Sequence, residues 1–197
     1  MIKIDDLELL GKGRHKHVYQ HPSYPDRVIK LMIRTRATES GGRTEQNVLR
    51  ANRQQGIYRE FRRELIQYLQ LCKSAYKDNN FMFPVETVHG FERTNQGLGL
   101  ATEKIISPNR SPLTVEKMVV EGLFDEKARV AFNRFFDDCC DHHVVFGEVN
   151  LGGIMYTETR QDRPEFVLVD GIGEKLIIPF RSMSKTINNR NIRKVEE

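Results

Sequence analysis

Two charged residues far apart in the chain set the chemical question. Lys30 stands inside the apolar run RVIKLM, and Asp170 closes the apolar run FVLVD with Gly171 behind it. An ammonium in an apolar strand needs an anionic partner, because an unpaired buried charge is costly. A phosphate and a carboxylate from the following helical stretch REFRRELIQYL would satisfy it, with Glu64 the first candidate and Glu60 the second. The alternative is a lysine on a strand edge whose ammonium snorkels to water. An aspartate at a strand end suits a hard cation, since the carboxylate is fixed while the glycine lets the backbone turn away. A plain Asp-Gly turn is the other reading.

Two further stretches bear on this chemistry. Gly11 and Gly13 in LLGKGRHKHVYQ sit between two strand patterns. Glycines let backbone approach a phosphate closely, but a GxG between strands specifies by itself no more than a tight turn, and it is not the strand-to-helix turn of a dinucleotide fold. Glu148 and Asn150 lie in the polar loop of VVFGEVNLGGIMY, and a following hairpin would return the chain toward Asp170. Together they offer a base and an oxygen ligand; singly they are ordinary loop residues.

The elements that must position these groups follow from periodicity. Residues 7 to 33 read as strands LELLG, HVYQH and RVIKLMI. Residues 34 to 56 are polar and basic, a mobile insertion or a loop-flanked helix. From Ile57 to Lys77, Tyr58, Phe61, Leu65, Tyr68, Leu69 and Cys72 recur three and four apart, the stripe of an amphipathic helix. FPVETVHGFERT and LGLATEKII form a hairpin about NQG, and SPNRSP is a linker. One long helix is expected from Thr114 to His142, carrying Phe132, Phe135 and Phe136, then two short strands, GIMYTE and FVLVDG. The order predicts an α+β fold whose sheet-rich first half and helical second half meet at a ligand-binding cleft.

Composition narrows the classes. With 39% hydrophobic and 29% charged residues, the chain is globular rather than disordered. No apolar run reaches membrane-spanning length and the start MIKIDDLELL is unlike a signal peptide, so a cytoplasmic protein is expected. Cys139, Cys140, His142 and His143 match no familiar zinc spacing and read as a helix end with partly buried thiols. The net charge of +4 gathers in residues 34–56 and 181–194, without interleaved aromatics or a nucleic-acid motif.

Taken in order, these parts resemble the protein-kinase-like fold, and the stretches LGKGRHKHVYQHP, RVIKLM, YREFRRELIQYL and LVDGIGEKLIIPF are similar to the YrbL family of bacterial proteins, named for the PhoP regulatory network. The resemblance implies an antiparallel-sheet N-lobe over residues 1–106 and a minimal helical C-lobe over 107–197. It implies a glycine loop of Gly11, Gly13 and Val18, a strand lysine at Lys30 paired with Glu64, a hinge to adenine around Glu103, and a magnesium ligand at Asp170, hence ATP and Mg as cofactors. Departures are also plain. Lys16 replaces the third glycine, Glu148 stands for the catalytic aspartate, and Gly153 stands for the metal-binding asparagine, which Asn150 would partly replace as a metal ligand.

Three functions follow: a phosphotransferase acting on a protein side chain or a sugar, a pseudokinase serving as a nucleotide-responsive binding module, and a polyanion binder using the basic segments. Each nucleotide reading requires Lys30 and Asp170 to face one gap.

Overall fold

The structure is a computed structural model of the 197-residue chain and describes residues 1–44, 55–109, 111–176 and 178–196. Residues 45–54 of the basic 34–56 stretch lie outside the described residues. The chain divides into two units: residues 1–65 with 87–104, and residues 66–86 with 105–197.

The first unit is a five-stranded antiparallel sheet ordered β1-β2-β3-β5-β4. Its strands are β1 (Leu9–Lys12), β2 (Lys16–Gln20), β3 (Arg27–Met32), β4 (Val88–Thr94) and β5 (Gly97–Glu103). β3 is the middle strand and is buried from Val28 to Met32. That is why RVIKLM reads as a continuous apolar run rather than an alternating one. The start of helix α1 (Arg59–Ser74) belongs to this unit and carries Phe61, which packs with Met32 and Leu100. The FPVETVHGFERT strand starts later than expected. Residues 83–87 are outside β4, and Val85 forms an isolated bridge to Leu168 in the second unit's fold. Part of the insertion folds back locally: Arg34–Arg36 is a 3-10 turn, Ala37 bridges Arg43, and Ile57 donates its N–H to Gly41 O at 2.9 Å.

In the second unit the single long helix expected from Thr114 to His142 is two helices, α2 (Val115–Val120) and α3 (Glu126–Asp141). Gly122 at φ +68° ends the first, and the Asp125 carboxylate caps the second by accepting from Ala128 N at 2.8 Å. A left-handed glycine and an aspartate three residues later are a stop and a start, stronger locally than the apolar periodicity running through them. Phe135, Phe136, Phe146 and Phe166 form the centre of the core with Cys139 and Val144. Strands β6 (Ile154–Thr157) and β7 (Glu165–Leu168) make a separate hairpin.

The tail, whose polar composition marks no element, forms two helices, α4 (Phe180–Met183) and α5 (Lys185–Glu196). Ile192 is fully buried in the second core, and the buried Asn188 amide donates to Val144 O at 2.8 Å. The architecture is α+β, an antiparallel sheet with one helix followed by a mainly helical part, the layout expected of a kinase-like fold. Among the described residues no helix is long and apolar enough to cross a membrane.

Candidate functional site

In the first unit, strand register assembles one row of side chains across the sheet. Gly11 lies opposite Val18, Val18 opposite Lys30, and Lys30 opposite Leu100. Directly opposed residues share a face of the sheet. Lys30 is 4% exposed on the central strand, so the strand-edge alternative does not apply. Its Nζ lies 3.6 Å from Glu64 Oε2, and Glu64 is also buried. Glu60 and Glu64, four apart on α1, project from the same helix face. Glu60 forms a short ion pair with Arg43 of the folded-back insertion.

Lys16, which stands where the family resemblance expects a third glycine, occupies the centre of this cluster. Lys16, 5% exposed, donates to Glu64 Oε1 at 2.5 Å and lies 4.0 Å from Glu60 Oε2. A signal was present, since Lys16 and Val18 are two apart on one strand and must share a face. What hid it was the position of the strand start, which the pattern HVYQH does not mark. The neighbourhood is cationic. Burial holds the pKa of His15 below its ordinary 6.5; Glu60 opposes this, and Arg43, Arg36 and Arg14 add to it.

The glycine turn is a tight connection between β1 and β2. The Gly13 N–H donates to Lys16 O at 2.8 Å, so this amide closes the turn. Glu103 ends β5, and its Oε2 accepts from Thr87 N at 3.1 Å and Thr87 Oγ1 at 3.0 Å. Its carboxylate is therefore engaged with the adjoining chain, and so is the local backbone, where Glu103 N donates to Thr87 O at 2.9 Å and Lys104 N to Asp26 O at 2.8 Å.

The second unit brings the loop of Glu148 and Asn150 against the segment of Asp170. Gly147 N and Glu148 N both donate to Gly171 O, at 2.6 and 3.2 Å, and Val169 N donates to Gly153 O at 2.8 Å. Asn150 Oδ1 accepts from Gly153 N at 2.9 Å, and Asp170 Oδ1 from Gly171 N at 2.8 Å. A methyl group on Gly153 would lie 3.2 Å from Asp170 O and 3.6 Å from Asn150 Oδ1, so Gly153 sits between the two oxygen-bearing residues. Gly171, at φ +80°, has no room for a Cβ because it would overlap the Glu148 carbonyl. Glu148 is solvent-exposed and ion-paired with Lys175. Asp170 is likewise exposed.

The remaining candidates have local explanations. Cys139 is completely buried in the aromatic core, and burial raises its thiol pKa well above the ordinary range. Among the described residues, no group of three or more His, Cys, Asp or Glu side chains is arranged to hold a metal. Several cations of the basic tail act within the chain. Arg193 pairs with Asp137 and Glu196, Arg181 with Glu174, and Lys185 donates to Asp141 O.

Comparison with known proteins agrees with the sequence motifs. The uncharacterised YrbL proteins of Escherichia coli (strain K12) and Shigella flexneri are each 24% identical over 189 residues, covering 94% of this chain and 80% of theirs. Among solved structures, WbdD gives a TM-score of 0.47 at 14% identity, with 91% of this chain and 35% of WbdD covered. The Mycobacterium tuberculosis PknI kinase domain gives 0.42 at 11% identity, with 86% and 61% covered. This chain thus spans about a third of WbdD and under two thirds of the PknI chain, and likenesses at this level say nothing about what it catalyses. The family described as PhoP regulatory network protein YrbL matches residues 2–196, and the chain belongs to that family.

Proposed function

We propose that this protein binds ATP with magnesium and transfers the terminal phosphoryl group to a hydroxyl of a protein side chain or a sugar. The observation that carries the reading is Lys30, an ammonium 4% exposed in the middle strand of a sheet and backed by Glu64. Burying such a pair costs desolvation that its own attraction does not reliably recover, so it is weakly explained as a stabilising device. It is well explained as an anion-binding group, because a fixed cation in a low-dielectric site acts strongly on phosphate oxygens.

The roles follow. Lys30 orients the phosphates and Glu64 orients Lys30, while the turn of Gly11 and Gly13 with Val18 covers them. The segment around Glu103 meets the adenine. Asp170 and Asn150 would hold magnesium; a carboxylate and an amide oxygen, without sulfur or imidazole, are a donor set suited to a hard cation. When bound, the ion neutralises charge on the phosphate oxygens. Glu148 takes the proton of the acceptor hydroxyl as its oxygen bonds to phosphorus and the bond to ADP breaks, which requires its ion pair with Lys175 to open.

A second reading is favoured by one specific feature. Gly153 stands where the family resemblance expects a metal-binding asparagine, and its packing beside Asp170 leaves little room for one. A protein of this kind would bind nucleotide and act as a regulatory module without turnover. The melting temperature with and without ATP and magnesium tests both: the expected result is a rise that disappears in Lys30→Ala and Asp170→Ala. No rise in the unmodified protein removes both readings. A rise without ATP consumption, across protein and sugar acceptors, selects the second.

A further inference from the structure

We infer that Lys16 is a positioning residue of this site, one that sets the orientation of Glu64 and through it the place of Lys30; the inference rests on the nucleotide reading above. Lys16 opens β2 directly after the glycine turn, and its backbone carbonyl closes that turn by accepting from Gly13 N. Register fixes where its side chain goes. Val18 is paired with Lys30, and Lys16 lies two residues earlier on the same face, diagonal to Lys30.

The two lysines divide one carboxylate. Lys16 takes Glu64 Oε1 at 2.5 Å, a short charge-assisted bond, while Lys30 stands 3.6 Å from Oε2, beyond a tight hydrogen bond. Glu60, the other carboxylate on this helix face, is held by Arg43 and lies 4.0 Å from Lys16. Lys16 therefore holds Glu64 in a rotamer that supports Lys30 without clamping it. Without Lys16, both oxygens of Glu64 become available to Lys30. The carboxylate then closes on that ammonium and draws it away from the phosphates. The turn that covers the nucleotide and the pair that orients it are joined through this one side chain.

The test separates phosphate recognition from general binding. Calorimetric titration with ATP and magnesium, and separately with adenosine, is run on the unmodified protein, Lys16→Met, Lys16→Arg and Lys30→Met. Lys16→Met is expected to weaken ATP about tenfold while leaving adenosine unchanged, and Lys16→Arg to regain most of the loss because it keeps a cation on Glu64. Should Lys16→Met fail to fold, Lys16→Gln, whose shorter neutral amide holds Glu64 less tightly, takes its place, with a smaller loss of ATP binding of the same sign and adenosine again unchanged. An unchanged ATP-to-adenosine ratio in a protein that binds both, with Lys30→Met losing ATP, overturns the inference alone. Equal weakening of both ligands also overturns it, since that marks a residue that only maintains the fold. If the unmodified protein binds neither ligand, the nucleotide reading fails first and the role of Lys16 falls with it.

Discussion

The two units hold their charged groups in opposite ways. In the first, Lys16, Lys30, Glu60 and Glu64 are all between 3 and 9% exposed, and each is located by other side chains across β2, β3 and α1. In the second, Glu148 and Asp170 are exposed, and the loops that carry them are held by backbone: the Gly147, Glu148 and Val169 amides tie two segments together at Gly171 and Gly153. A buried charge stays where its partners put it, because leaving them costs desolvation without compensation. An exposed charge is cheap to move, and its position is only as good as the loop beneath it. The first cluster should therefore be sensitive to the loss of side chains and the second to distortion of its backbone.

The largest expected effect is at Glu64. Replacing it by alanine leaves Lys16 and Lys30 buried without their shared carboxylate, which should cost about 3–5 kcal/mol in denaturant unfolding. A loss below about 1 kcal/mol would mean that water or other partners, Glu60 beside Lys16 among them, make up for the carboxylate, ending the contrast between the units. Next is Gly171→Ala, which forces a side chain into the left-handed region and against the Glu148 carbonyl. It should cost about 2 kcal/mol and abolish the ATP-dependent rise in melting temperature, although it removes no charge. Retention of that rise would show that the loop's backbone does not set the position of Asp170.

A smaller effect concerns acid. Burial pushes the Glu174 carboxyl up, but hydrogen bonds from Arg181 and from the Leu176 and Ser182 amides, with the charge of Arg181, outweigh it and hold the group below 4.5. A carboxyl held lower in the folded chain than in the unfolded one contributes stability above its unfolded pKa and loses it as pH falls through the folded value. Unfolding free energy should thus fall below about pH 4.5, and Glu174→Gln should flatten that limb. An identical acid limb in the variant would assign it to other carboxylates. The smallest change is Glu148→Ala, an exposed side chain with a solvent-facing ion pair, expected to alter stability by no more than about 0.5 kcal/mol. Turnover, measured as ATP consumption with acceptor, should nevertheless drop about a hundredfold if Glu148 accepts the proton.

The elements themselves were readable to different depths. β3 is legible because Lys30 interrupts a run of Val, Ile, Leu and Met too apolar for any surface strand. The stripe of α1 is legible because Phe61, Leu65, Tyr68 and Cys72 recur three and four apart on one face. The break between α2 and α3 was written in Gly122 and Asp125, yet apolar periodicity on either side masks it. The tail helices were hidden by composition: α5 contributes the buried Ile192 and Asn188, while the rest of it is polar enough to pass for a solvated segment.

The amino-acid sequence by itself determined the α+β order, the family, and the identity of the lysine, glutamate and aspartate to which the proposed function gives phosphate and metal, because these depend on residue type and local period. Only tertiary structure decided that Glu64 serves two lysines rather than one, that Gly153 lies between Asn150 and Asp170, and that the tail packs into a core. Those facts arise from strand register and from contacts across long stretches of chain, and a one-residue change in register would turn Lys16 to the opposite face of the sheet.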